Sequence, residues 1–216
     1  RLRESGYIRM DETPLQVLGG DPARSTEHWM WVRVAGPPRQ RIILFDYDPS
    51  RSGATAERLL AGARGYLQTD GYAAYDGVAA RLALTHLGCF AHARRKGFEA
   101  IKALPPGTAA NTPAHELVRR IDALYAIERD GKELEPGERS RLRAERARPL
   151  LASLHDWARA QAALTLPSGK LGEAFSYLLA QWPKLVRYVD DPRLAIDTNL
   201  AENAIRPFAL ARCNWL

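Results

Sequence analysis

The sequence predicts an α/β chain: a mixed five-stranded sheet flanked by helices, with a large all-α insertion before the last helix. Three observations predict it. The first third holds three runs rich in β-branched and aromatic residues, separated by turn residues. A strand, helix, strand pattern follows as far as residue 87, and such a unit pairs its strands in parallel through a crossover. From Phe90 onward the apolar spacing is helical for most of the remaining chain.

Residues 7–13, 28–35 and 41–47 read as strands of an antiparallel meander, with Gly19-Gly20-Asp21-Pro22 and Gly36-Pro37-Pro38 between them. Pro14 cannot donate to a ladder, so the first strand is expected to end or bulge there. Trp29 and Trp31 alternate onto one face of the second strand, as core or sheet cover rather than as base-stacking platforms. Beyond Asp48-Pro49 the period changes, and Ala56, Leu59, Leu60 and Ala63 share one face of a helix over 53–64. Short strands follow over 65–69, ending at Asp70-Gly71, and over 82–87. Breaks at Pro105-Pro106-Gly107, Asp130-Gly131 and Asp190-Asp191-Pro192 divide the helical part into segments over 90–104, 113–128, 137–164 and 172–189. A last helix starts at Asn199 or Leu200. On this reading residues 1–104 and 190–216 form a discontinuous core, and residues 105–189 the helical insertion.

With 46% hydrophobic and 26% charged residues, 216 residues suffice for one good core and a smaller second one, which excludes disorder as the default. The sequence has no run of membrane-spanning length, no secretory leader is expected, and Cys89 and Cys213 cannot build a disulfide framework. A cytoplasmic protein with no membrane partner is expected. The chain starts at Arg1 without a methionine and stops at Leu216 without a closing signal, so a piece of a longer protein is expected. Basic residues exceed acidic ones by 31 to 25, a net +6 that permits a polyanionic partner. Arginine outnumbers lysine 26 to 5, and its planar fork suits bidentate phosphate contacts.

Three acidic residues stand out by position: Asp11 near the end of the first strand, Asp70 at the end of the fourth, and Glu202 one turn into the final helix. Carboxylates brought to one point repel unless cations share them, and such a site suits two Mg²⁺ or Mn²⁺ ions clamping the oxygens of a phosphoryl displacement. Each residue also has a purely structural reading. Asp11 neighbours Glu12 in a charged turn, and strand alternation sends the two to opposite faces. Asp70-Gly71 is an ordinary turn dipeptide, and Asn199-x-x-Glu202 fits a capping box with Arg206 as an ion-pair partner one turn later. No P-loop, dinucleotide-binding glycine pattern or HExxH is present. Cys89-x-x-His92 with His86 makes three candidate zinc ligands, one short of a closed structural site. Arg94, Arg95 and Lys96 are the best candidates for DNA-backbone contacts; the series Arg139, Arg141, Arg143, Arg146, Arg148 interleaves with Glu138 and Glu145 and reads first as a solvated face.

Four blocks occur in order: Asp11-Glu12-Thr13-Pro14, Leu67-Gln68-Thr69-Asp70-Gly71-Tyr72, Gly88-Cys89-Phe90-Ala91-His92-Ala93-Arg94-Arg95-Lys96, and Ile196-Asp197-Thr198-Asn199-Leu200-Ala201-Glu202-Asn203-Ala204-Ile205-Arg206-Pro207. Together they resemble the catalytic domain of transposases of the insertion sequence 66 family, a bacterial DDE group, and the likeness runs from about Gly6 to Leu216. The resemblance implies an RNase H-like fold in which Asp11, Asp70 and Glu202 are the catalytic triad holding two Mg²⁺ or Mn²⁺ ions. It implies cleavage of transposon-end DNA and transfer of the freed 3′-hydroxyl into target DNA, with double-stranded DNA as partner and a homo-oligomer in the full-length synaptic complex. Arg206 would contact phosphate or orient Glu202, Pro207 would end or kink the helix just beyond it, and Cys89-x-x-His92 would brace the helix start. The sequence departs from the family pattern at Met10, Gly97 and Asn203. Two other readings are an RNase H-like nuclease without strand transfer and a non-catalytic DNA-binding remnant; product type separates the first, and carboxylate-dependent metal binding the second.

Overall fold

Tyr7–Gln16 (β1) is the hub of the sheet in the computed structural model of the chain, which describes residues 1–16, 27–37 and 40–214. The turn expected at Gly19 to Pro22, Pro38 and the side chain of Cys213 lie outside the described residues. Along one edge β1 pairs antiparallel with Glu27–Ala35 (β2), which pairs antiparallel with Ile42–Asp48 (β3). Along the other it pairs in parallel with Tyr66–Gln68 (β4), itself parallel to Thr85–Leu87 (β5). The order is β3-β2-β1-β4-β5, the mixed five-stranded sheet expected from the sequence.

Alternation along the strands gives the sheet two different faces. On one, Ile8 and Met10 of β1, Trp31 of β2 and Leu67 of β4 are buried with Leu59 and Leu60 of α1 (Gly53–Leu60) and with Tyr75 and Val78 of α2 (Ala74–Arg81). Met10 is thus part of a packed core, and Trp31 is core while Trp29 covers its edge. On the other face Val32 and Val34 pack against Ala201 and Ile205 of α8 (Asn199–Asn214).

Local chemistry moves several element bounds. Pro14 does not end β1, because it pairs with Trp29 and the strand runs on to Gln16; β4 pairs only with residues 7–9, so at Pro14 the far side of β1 needs no donor. Gly65, between α1 and β4, has φ +85, and a Cβ there would sit 2.3 Å from the carbonyl oxygen of Gly6, so only glycine fits. The short helix α2 went unforeseen: it is alanine-rich, has no side-chain cap, and follows a turn dipeptide. Pro207 does not end α8, which continues to Asn214; the proline deprives only the carbonyl of Asn203, at an exposed position that solvent reaches.

The described chain gathers into two compact units, residues 1–87 with 198–216 and residues 88–197. The second unit contains α3 (Phe90–Lys102), α4 (Pro113–Asp130), α5 (Pro136–Leu142), α6 (Arg148–Ala163) and α7 (Lys170–Leu185). By packing, α3 and residues 190–197 fall in this unit, although the sequence reading groups them with the sheet. Its two ends are tied together: the Gly88 N–H donates to Lys184 and the Phe90 N–H to Ile196, each at 3.1 Å. Gly97 is buried where α3 meets α4, and a Cβ there would lie 2.8 Å from Val118 Cγ2, which explains why this position holds no aromatic ring.

The expected helix over 137–164 is broken into α5 and α6 by a π-helical turn, Arg143–Ala147. Pro149 cannot donate to the carbonyl of Glu145, the position where an α-helix would require it. The turn carries Arg143, fully buried, into the unit's interior. Its guanidinium donates to both oxygens of Glu128 (2.9 and 2.7 Å) and to the carbonyls of Tyr188 (2.7 Å), Asp191 (2.9 Å) and Leu194 (2.8 Å). Burial works to raise the Glu128 carboxyl, but Arg143 and then Arg139 outweigh it and hold it below its ordinary value. Among the described residues no helix is long and apolar enough to cross a membrane.

Arg143→Ala should destabilise the chain by about 3–5 kcal/mol, because it strands a buried carboxylate and three carbonyls. Urea unfolding monitored by circular dichroism checks this. A loss below about 1 kcal/mol, the value of a surface pair, would show that the network is not what holds residues 188–194.

Candidate active site

Asp11 sits on β1 opposite Val32 of β2, and residues directly opposite share a face. Val32 packs against α8, so Asp11 points to the α8 side and Glu12, opposite Trp31, to the other. The β1–β4 register, Tyr7 with Tyr66 through Arg9 with Gln68, carried two residues further sets Asp70 alongside Asp11. Asp70 lies just past the end of β4 in a turn closed by its own side chain, whose Oδ1 accepts the Tyr72 N–H at 2.9 Å. Glu202 comes from the first turn of α8, next to Ala201, which packs against Val32 and Val34 of β2.

The start of α8 differs from the expected capping box. Thr198, not Asn199, is the capping residue: its carbonyl accepts the N–H groups of Ala201 (2.8 Å) and Glu202 (3.1 Å). Glu202 therefore stands one position too far along to reach the cap amide, and instead accepts the Thr198 hydroxyl at 3.2 Å. Arg206 is exposed one turn beyond.

Asp11 feels the charge of its acidic neighbours. Burial, then the charges of Glu12, Glu202 and Asp70, push the Asp11 carboxyl from its ordinary 3.8 up to about 8, against the pull of the Glu12 N–H that donates to its Oδ1 at 3.0 Å. Among the described residues, Asp11 and Asp70 each give one oxygen to a backbone N–H and have no protein donor at the other. That is a hard-oxygen donor set with excess negative charge, the chemistry a divalent cation such as Mg²⁺ or Mn²⁺ requires.

Comparison with known proteins gives the family. The sequence profile of the Transposase IS66 family matches residues 1–216. The chain belongs to that family. Two curated relatives, y4hP and y4qI of Sinorhizobium fredii (strain NBRC 101917 / NGR234), are 30% and 28% identical over 95% and 100% of this chain. The match covers 40% and 41% of their lengths, so the chain spans about two fifths of the length of these relatives. Among solved structures, a chain from the cryoEM structure of the simian T-cell lymphotropic virus intasome in complex with PP2A regulatory subunit B56 gamma is similar at 15% identity. It covers 64% of this chain and 46% of that one with a TM-score of 0.31, too slight a likeness to build on.

In this IS66 family chain most of the other singled-out residues are engaged internally. Arg94 donates to both oxygens of Asp122 and lies over the Phe98 ring; Lys96 pairs with Glu99 at 3.3 Å. Arg95 is exposed. Arg139 and Arg143 hold Glu128, Arg146 holds Asp130 and Arg148 holds Asp190, so that series braces the second unit. His86 is no zinc ligand: its Nε2 is 2.8 Å from the Thr69 hydroxyl and its Nδ1 2.8 Å from Asp76. Cys89 is wholly buried at the start of α3. A cluster that sequence reasoning missed joins Glu12, Arg51, Tyr75, Trp29 and Tyr72. The alternation that turns Glu12 away from Asp11 was its one visible signal.

The raised Asp11 carboxyl sets the sign of a pH effect. Between pH 3.8 and about 8 the folded metal-free chain holds a proton that the unfolded chain has lost, so stability falls as pH rises through that window. Asp11→Asn should flatten this slope and raise metal-free stability at neutral pH by about 1–3 kcal/mol. Thermal melts from pH 5 to 8 in EDTA check both; an unchanged slope in Asp11→Asn would place the titration elsewhere.

Proposed function

We propose that the chain is the catalytic domain of a DDE transposase. In the proposed reaction water displaces a 3′-oxygen at the transposon end, and the freed 3′-hydroxyl displaces a 3′-oxygen of the target strand, joining the two. The observation that supports this reading is the strand register that sets Asp70 alongside Asp11 on the sheet face covered by α8, the helix that carries Glu202. These residues would hold the two divalent ions. When bound, such ions supply Lewis acidity, lowering the pKa of the attacking water or hydroxyl and offsetting charge on the leaving oxygen.

The chain's own part is to keep the carboxylates aimed. The Glu12 N–H fixes Asp11, the Tyr72 N–H fixes Asp70 and the Thr198 hydroxyl fixes Glu202, so each rotamer is set before substrate arrives. Of the basic candidates, Arg95 and Arg206 are exposed and suited to the DNA backbone; Arg94 and Lys96 would first have to leave Asp122 and Glu99.

Purified protein with Mn²⁺ and transposon-end DNA should nick the end and join it to a second duplex. Asp70→Ala should lower both products by at least about 10³-fold, the scale of losing a group that stabilises the transition state. Equal activity in Asp70→Ala sinks the triad. Nicked product without joined product would favour a nuclease over a transposase.

A further inference from the structure

Glu12 is a buried acid that the proposed chemistry leaves unused. Its side chain is 1% exposed, and both oxygens are taken: Arg51 Nε donates to Oε1 at 2.9 Å, and the Tyr75 hydroxyl donates to Oε2. With neither oxygen available, Glu12 is an anchor rather than a ligand, and what it anchors is Arg51. The same guanidinium lies 4.7 Å from the Trp29 ring and 4.2 Å from the Tyr72 ring, both at cation–π distance.

Arg51 is thus held at one nitrogen and against two aromatic rings, yet its side chain is 38% exposed. Among the described residues no acceptor takes its terminal Nη1 and Nη2. A guanidinium that served only to neutralise Glu12 would form the two-pronged pair that Arg143 forms with Glu128; this one gives Glu12 only its Nε. Tyr72 ties it to the triad, since the Tyr72 N–H holds Asp70 and its hydroxyl reaches the Arg51 carbonyl at 3.5 Å. Against the cost of burial, the Arg51 charge is favoured by Glu12 and then by Asp70.

We propose that Arg51 is a phosphodiester clamp, whose Nη1 and Nη2 grip a DNA backbone phosphate next to the one that reacts at Asp11, Asp70 and Glu202. Two parallel N–H donors match two phosphate oxygens, and the fixed stem means that little freedom is lost on contact. The proposal rests on the DNA-processing reading above but involves neither metal nor turnover, so the two can fail separately.

The test is binding of a short fluorescent duplex by the whole chain in EDTA, across a salt series. Arg51→Gln should bind about 10-fold more weakly at low salt, with the slope of log K against log salt smaller by about 0.9, one phosphate contact. Arg51→Lys should keep the slope and recover only part of the affinity, having charge without the fork. Thermal melts monitor folding, and Glu12→Gln/Arg51→Gln, which leaves no orphaned carboxylate, should show the same reduced slope. Parental affinity and slope in the folded glutamine variants overturn the clamp, as does failure of the parent to bind at all. If Asp70→Ala still nicks DNA while Arg51→Gln loses the slope, the triad reading fails and the clamp stands.

Discussion

A parallel pairing only three residue pairs long, Tyr7 with Tyr66 through Arg9 with Gln68, constrains everything around the carboxylates. It decides which residues of β1 lie beside the end of β4, and carried two residues further it sets Asp70 alongside Asp11. Because a slip of one residue would send every side chain to the opposite face, the register needs independent support. Ile8 and Leu67, paired across the two strands, are both buried under α1 and α2. On the opposite face the Tyr7 hydroxyl donates to the buried Gln68 side chain. Glycine at 65 lets the strand begin against Gly6, with the Tyr66 N–H on the Gly6 carbonyl at 3.0 Å.

Gathering acids on this register works against the stability of the metal-free fold. Asp11 is half-buried, and desolvation with the charges of Glu12, Glu202 and Asp70 keeps its carboxyl protonated well above the usual range. On the proposed reading this is a trade of stability for function, since the arrangement that best receives a cation is the one that repels itself without it. The second unit shows the opposite solution to burying charge. There Arg143 satisfies Glu128 and three carbonyls at once, and the residues it ties, 188–194, are those leading to the tied end at Ile196.

Much of this was legible because it depends on short periods. Alternation in β1 separates Asp11 from Glu12, and the strand, helix, strand pattern fixes a parallel pair. What was not legible depends on context beyond the local pattern. Pro14 reads as a strand end until one sees that β4 stops short of it, and Pro207 as a helix end until the Asn203 carbonyl is seen to be at an exposed position. Thr198 and Asn199 are both good capping residues, and only the hydrogen bonds to the Thr198 carbonyl choose between them. Arg51 meets residues from β1, β2 and the Asp70 turn, a grouping that no window along the sequence contains.

The net charge of +6 illustrates the same limit. Composition counts cations, but a polyanion meets only donors that the protein has not already used. Arg33, Arg58, Arg81, Arg94, Arg139, Arg143, Arg146, Arg148 and Arg193 each hold a carboxylate within the chain, so a map of basic residues overstates the surface available to DNA. Arg143 and Arg51 mark the two extremes. The first is fully buried and spends its donors on one carboxylate and three carbonyls; the second gives only its Nε to Glu12 and has a side chain 38% exposed. In an arginine-rich chain, the count of unspent donors at a fixed position is therefore a better guide to a phosphate contact than local charge density.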